Sequence, residues 1–221
     1  MKFPRLDYVA VEEWLLSYVS DRTVLHLGCA GDLLQYGRDA CLHYQLSRVC
    51  TGLYGIELDK TALETVKAWV PEDKDGRIRY SVGNVEELDK ILTQQKFDIV
   101  LAGSIIEHLS NPGWMLRHLR SLCREDGKVI IITPHVFGLM QFVRVALKAD
   151  EAVNPQHTCW FSIVTLTELC SRYGLKPIEW HTGYGWKPPS LTWQIQRNLG
   201  SLFFRAVPRL GGSLIGVFVP R

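Results

Sequence analysis

The chain reads as a doubly wound α/β fold built on a mostly parallel sheet. Three observations predict it. Short runs rich in Val, Ile and Leu recur through residues 23–133, separated by segments of helical periodicity, which is how parallel strands buried on both faces alternate with crossover helices. The first of these runs breaks abruptly into Gly28-Cys29-Ala30-Gly31, as a strand does when it ends in a tight turn under a helix N-terminus. And 221 residues, 47% hydrophobic and 22% charged, suffice for one ordinary globular domain with a full core, so residues 1–221 are taken as a single unit.

In chain order, Val9, Val11, Trp14, Leu15, Tyr18 and Val19 predict an amphipathic helix over residues 8–19. Asp21-Arg22 leads into the first strand, Thr23–Leu27. After the glycine turn, Leu33, Leu34, Tyr36, Ala40, Cys41 and Tyr44 predict a helix with one buried face, reaching about Ser47. Leu53–Leu58 is the second strand and carries Glu57 near its end. Thr61–Val70 is a helix stopped by Pro71. Arg77–Val82 is the third strand, Glu86–Leu92 a short helix, and Phe97–Leu101 the fourth strand. Trp114–Leu122 is helical, and Gly127 turns the chain into a fifth strand, Lys128–Thr133, closed by Pro134. Gly174–Trp180 and Leu214–Val219 supply the last two strands.

Two stretches break the pattern. Val136–Leu147 is apolar and helix-compatible, which suits either a core helix or a lid spanning 136–160. Residues 186–210 interleave Arg197, Arg205 and Arg209 with Trp193, Phe203 and Phe204. That pattern fits a packing helix, the second wall of a pocket or a helix on a membrane surface.

Composition excludes several classes. A net charge of +2 without a basic stripe argues against nucleic acid as partner. Six cysteines show no C-x-x-C pair and no zinc-ligand spacing, so no metal is predicted. With no cleavable signal pattern, they read as free thiols in a reducing cytoplasm. No apolar run is long enough to span a membrane. The oligomeric state is not legible.

In an open α/β sheet the ligand lies outside the carboxyl ends of the strands, at the switch point. That rule gathers Gly28–Asp32, Glu57, Gly83-Asn84-Val85 and Gly103–His108 into one cleft. A carboxylate at the end of a buried strand needs hydrogen-bond donors, and a ribose diol offers two; a helix-cap or surface role is the plainer alternative for Glu57. The turn lacks the three glycines of a diphosphate cradle and carries Asp32, which would repel phosphate. It suits a ligand with a cationic group better. S-adenosylmethionine has a ribose, an ammonium and a sulfonium, and no phosphate.

These segments resemble the class I S-adenosylmethionine-dependent methyltransferases, in particular the ubiquinone-type O-methyltransferases that act on small molecules. Val24-Leu25-His26-Leu27-Gly28-Cys29-Ala30-Gly31-Asp32 is similar to the family's first motif, and Gly55-Ile56-Glu57-Leu58-Asp59 to its ribose-binding acid. Gly83-Asn84-Val85 matches the segment facing adenine, while Phe97–Val100 through Ile106–Leu109 and Asn111-Pro112 match the fourth-strand motif. Gly127 through His135, and Gln156 through Ser162, continue the likeness. It implies a Rossmann-like sheet of seven strands with the last one antiparallel. It also implies S-adenosyl-L-methionine as cofactor, held by Gly28, Cys29, Ala30, Gly31, Glu57, Leu58, Asn84, Val85, Gly103 and Ser104. Departures stand at His26, where the family has an acid that helps hold the cofactor's amino end, and at Ala30, Asp32 and Asn84.

A sulfonium is already an activated methyl donor, so the protein's share is proximity, orientation and removal of a proton. His157, His108 and His135 lie on loops near the cleft and are the candidate bases, each weighed against a packing role. Glu107 reads as a structural acceptor and His43 as packing. The expected activity is methyl transfer to a small-molecule or glycan-like acceptor at oxygen. A catalytically degenerate binding module is the alternative, and a nicotinamide oxidoreductase is disfavoured by Asp32 and the missing glycines.

Overall fold

A computed structural model describes residues 6–31, 36–92, 94–147, 154–184 and 202–221. Its centre is one eight-stranded sheet. The strands are β1 (Leu6–Ala10), β2 (Thr23–Leu27), β3 (Gly52–Glu57), β4 (Ile78–Val82), β5 (Phe97–Gly103), β6 (Cys123–Pro134), β7 (Leu175–Tyr184) and β8 (Ser213–Pro220). They lie in the order β1-β7-β8-β6-β5-β2-β3-β4. β6, β5, β2, β3 and β4 run parallel, whereas β8 is antiparallel to both its neighbours, β6 and β7.

Each predicted strand is present, and there is one more. Residues 8–10 were expected to open the helix over 8–19; with Leu6 and Asp7 they instead form β1, parallel to β7 along the sheet's far edge. Only α1 (Val11–Val19) is helical there, burying Val11, Leu15 and Val19. β1 escapes notice in the sequence because it is half-exposed throughout and lacks the apolar run of a central strand.

The other helices are α2 (Leu42–Ser47), α3 (Lys60–Trp69), α4 (Leu88–Ile91), α5 (Pro112–Leu122), α6 (Leu139–Ala146) and α7 (Ile163–Arg172). The long helix expected from Leu33 to Ser47 is a correction: Gly37 sits at φ +89, a short 3₁₀ turn follows at Arg38–Ala40, and α2 keeps only the last six residues. Apolar periodicity ran through a glycine whose backbone stops a helix. Residues 32–35, Asp32 and Leu33 among them, lie outside the described residues. Glu86–Leu92 is likewise split, into a 3₁₀ turn at Val85–Glu87 and α4.

The core has two faces. β2, β5 and β6 bury Leu25, Val100 and Ile131 against α5 and α7 on one side; Val24, Leu101 and Ile130 face α1 and α2 on the other. Asp98 locks β2 to β5 at their amino ends: its carboxylate accepts from the Thr23 N–H and hydroxyl, each at 2.7 Å. The chain leaves β2 for β3 and β4 on one side and returns to β5 on the other. The switch point therefore falls between β2 and β5, and the crevice opens above them.

Candidate active site

On the β2 side of the crevice the backbone dictates the residues. The Gly28 and Cys29 N–H groups donate to the Ile56 carbonyl at 2.9 and 3.1 Å, which turns the chain over the end of β3. Gly28 is at φ +68, a conformation that favours glycine, and a Cβ there would press on the Ile105 Cδ1 methyl at 2.7 Å. Gly31 is at φ +58, and among the described residues nothing lies within 4 Å of a Cβ built there. Across the crevice Gly103 is nearly as open, with only Leu42 Cδ2 at 3.9 Å. Beside it, Ser104 takes φ +51 while its N–H donates to the Ile132 carbonyl.

Glu57 ties these loops together. Its Oε2 accepts from the Ala30 N–H at 3.0 Å, and its Oε1 accepts from Leu58 and Asp59 N–H at 2.9 and 3.1 Å. The helix-cap role belongs to its neighbour, since Asp59 accepts from Thr61 and Ala62 at the start of α3. Each carboxylate oxygen can accept about two hydrogen bonds, so Oε2 keeps one site open toward a ribose hydroxyl. A second hydroxyl needs the Ala30 N–H to give way. Asn84 accepts from the Glu86 N–H through Oδ1, leaving its NH₂ as the group able to reach a ligand; Val85 is buried and Leu58 exposed. Open space at Gly31 and Gly103 among the described residues, with the Glu57 carboxylate beside the turn at the end of β3, fits an adenosine-type ligand.

Beneath the turn, His26 Nδ1 meets His43 Nδ1 at 3.1 Å with the rings nearly parallel. One must donate and the other accept, so the contact requires at least one neutral ring. Burial pushes His26 down to about 3 and His43 well below its ordinary value. Neither carries charge near neutral pH. The place of the family's acid is held by a neutral, fully packed pair, and His43 is the packing residue the sequence suggested.

The other wall is built from the end of β5. A 3₁₀ turn, Ile106–His108, follows it. Glu107 is buried and accepts from the Thr133 hydroxyl on β6 at 2.9 Å. Thr158 then clips a distant segment onto the turn: its N–H donates to the Glu107 carbonyl at 2.8 Å and its hydroxyl to the Leu109 carbonyl at 2.7 Å. The clip sets His157 edge-to-face on His108, with ring centroids 4.6 Å apart and planes at 87°. Both rings are half-buried.

The three candidate bases thus part company. His108 and His157 meet; His135 does not join them. It is buried at the corner of β6, donating through Nδ1 to the Gly211 carbonyl at 3.1 Å, and burial holds it below the ordinary histidine range. Sequence reasoning missed Thr133 and Thr158. It also assigned no metal, yet Glu107, His108 and His157 each offer a ligand atom, all within 4.8 Å of one another, which could hold a cation.

The antiparallel β8 inserted between β6 and β7, and an acid where a dinucleotide cradle needs glycine, define the S-adenosylmethionine-dependent methyltransferases as the class. The chain belongs to the methyltransferase-domain family, whose model matches residues 12–179. Among curated relatives it is 30% identical over 160 residues to the ubiquinone biosynthesis O-methyltransferase of Azorhizobium caulinodans, covering 71% of this chain and 58% of that protein. It is 29% identical over 128 residues to the enzyme of the same name from Glaesserella parasuis, covering 53% and 50%. The chain thus spans little more than half the length of these relatives. Solved structures share the fold. The CcbJ methyltransferase of Streptomyces caelestis superposes with a TM-score of 0.62 at 15% identity, covering 95% of this chain and 88% of that one. The N-methyltransferase NodS of Bradyrhizobium japonicum, solved with S-adenosyl-L-homocysteine, gives 0.56 at 12% identity, covering 95% and 86%.

Proposed function

We propose that this chain transfers a methyl group from S-adenosylmethionine to a hydroxyl of a small-molecule or glycan-like acceptor. The observation that carries the reading is the half-buried His108–His157 contact on the β5 side of the crevice, opposite the glycine turn. Gly28–Gly31, Glu57, Leu58, Asn84, Val85, Gly103 and Ser104 bind the cofactor, with Glu57 on the ribose and the Asn84 NH₂ on the adenine edge. The bound cofactor supplies an activated methyl group and a neutral thioether leaving group.

Within this reading His157 takes the acceptor's O–H proton as the oxygen forms its bond to the methyl carbon. His108 supports the ring from its edge. Glu107 fixes the 3₁₀ turn through Thr133. Oxygen is favoured over nitrogen because a hydroxyl needs a base near neutral pH and histidine is the side chain suited to it.

The experiment is a product assay, S-adenosylhomocysteine release, with a panel of phenols, sugars and matched amines. Turnover with hydroxyl acceptors that falls about 10²- to 10⁴-fold in His157→Ala is the expected result. Turnover with amines alone removes the oxygen assignment. Cofactor binding without any turnover favours the degenerate binding module.

The ligand spacing of Glu107, His108 and His157 favours one variation, in which the trio holds a divalent cation that acidifies the acceptor hydroxyl. Activity lost on chelation and restored by added metal selects this arrangement. Indifference to chelation leaves His157 as the base.

A further inference from the structure

The least expected surface of the molecule lies away from the crevice chemistry. α6 (Leu139–Ala146) is apolar around most of its circumference, yet none of its described side chains is buried. Phe142 is 57%, Val145 58% and the following Leu147 75% exposed, with Phe137, Met140 and Val143 also open to solvent. α5, by contrast, buries Met115, Leu116, Leu119 and Leu122. A helix in water normally hides such a stripe; this one does not pack as a core helix.

A second exposed apolar segment starts from the same corner. Residues 202–206 are helical and anchored by Phe204, which is buried between Tyr8 and Tyr184 at 5.6 Å from each ring. That anchor leaves Leu202, Phe203 and Val207 exposed, together with Arg205 and Arg209. The chain then returns to the base of α6. The Gly212 carbonyl accepts from the His135 N–H at 2.9 Å, and a Cβ on Gly138 would stand 3.2 Å from Gly212 Cα. Among the described residues, neither Arg205 nor Arg209 makes an ion pair with a carboxylate.

We propose that α6 and residues 202–209 form a docking surface for an anionic lipid bilayer. The exposed Phe, Val, Met and Leu side chains enter the boundary between headgroups and acyl chains, and Arg205 and Arg209 meet the anionic headgroups. Charge is what selects this occupant over a second copy of the chain. A two-fold contact through this face sets a cationic surface against its own copy, whereas a phosphatidylglycerol surface supplies the missing anions. No helix among the described residues is long and apolar enough to cross a membrane, so the contact lies in the interface plane. If the methyl-transfer reading above holds, an amphiphilic hydroxyl acceptor reaches the crevice from the bilayer side, and this corollary rests on that reading.

The test is co-sedimentation of the full chain with vesicles of phosphatidylcholine alone or mixed with phosphatidylglycerol. It needs neither cofactor nor acceptor, so its failure is distinct from failure of the methyl-transfer reading. Expected is binding to the mixed vesicles that weakens with added salt. Phe142→Ser/Val145→Ser should lower it about tenfold or more, the loss of two buried apolar side chains. Arg205→Glu/Arg209→Glu should abolish the preference for anionic lipid, at about tenfold or more for the two charges. Circular dichroism of each variant checks that these exposed positions leave the fold intact. Absence of vesicle binding, or equal binding by wild type and both variants, overturns the proposal. So does a dimer in analytical ultracentrifugation that the Phe142→Ser/Val145→Ser variant loses, which assigns the face to a second copy.

Discussion

Two histidine pairs sit in this molecule, and they show how much environment outweighs residue type. His26 and His43 meet Nδ1 to Nδ1 at 3.1 Å beneath the glycine turn, sealed from solvent and held neutral by burial. His108 and His157 meet edge to face at 4.6 Å on the far wall of the crevice, half-exposed. The first pair cannot exchange a proton with a substrate without bringing charge into the core, so it serves as packing with a polar lock. The second lies at the end of β5, where a substrate in the crevice can meet it. Sequence alone offered His157 first, then His108 and His135, as candidate bases; the fold divides them by where each ring sits.

The sharpest way to break the comparison is to remove one member of each pair and read activity. His157→Ala should cost about 10²- to 10⁴-fold in turnover with little change in cofactor affinity. His26→Asn keeps a hydrogen-bonding group against His43 and should retain most of the activity. Comparable losses in the two variants would erase the distinction.

The pH dependence of stability sharpens it next. Unfolded, His26 titrates near 6.5; folded, it titrates at about 3, and His43 is depressed as well. Between these values the unfolded chain binds more protons than the folded one. The stability contributed by the pair is therefore complete above about pH 6.5 and declines as pH falls, by about 1.4 kcal/mol per pH unit for each histidine. Denaturant titrations from pH 6.5 to 4.5 should show a shallower slope in His26→Asn, by close to one proton. An unchanged slope would mean the pair is not buried as described.

Thr133→Val probes the frame behind the rim pair. It removes the hydroxyl that donates to the buried Glu107 and should destabilise the protein by about 1–3 kcal/mol, read from thermal or chemical unfolding. A neutral effect would mean that the 3₁₀ turn carrying His108 does not depend on that bond.

Much of this was legible beforehand, for identifiable reasons. Central strands such as Val24–Leu27 and Ile99–Ala102 are buried on both faces, so burial wrote itself into them as apolar runs, broken only by His26 in the first. Gly28 announced itself as the point where the first apolar run breaks into small residues, and its φ of +68 is the conformation such a turn needs. Glu57 stood out as a carboxylate ending such a strand. Edge strand β1 did not, because its partner β7 covers one side only and Asp7 interrupts the pattern. The broken helix after the turn misled because side-chain periodicity continued through Gly37 while the backbone did not. The His26–His43 contact and the Thr158 clip join residues from separate elements, and such pairings exist only once the sheet order is known. His26 signalled an oddity without naming its partner.

What most directly tests the methyltransferase site is calorimetric titration of S-adenosylhomocysteine into the wild-type chain, Glu57→Ala and His157→Ala. Glu57→Ala loses the charge-assisted acceptor at the end of β3 and the bond that holds the Ala30 N–H. It should bind more weakly by about 1–3 kcal/mol, while His157→Ala binds as the wild type does. No binding by the folded wild type at near-millimolar ligand, or equal affinity in Glu57→Ala, would contradict the site described for this chain.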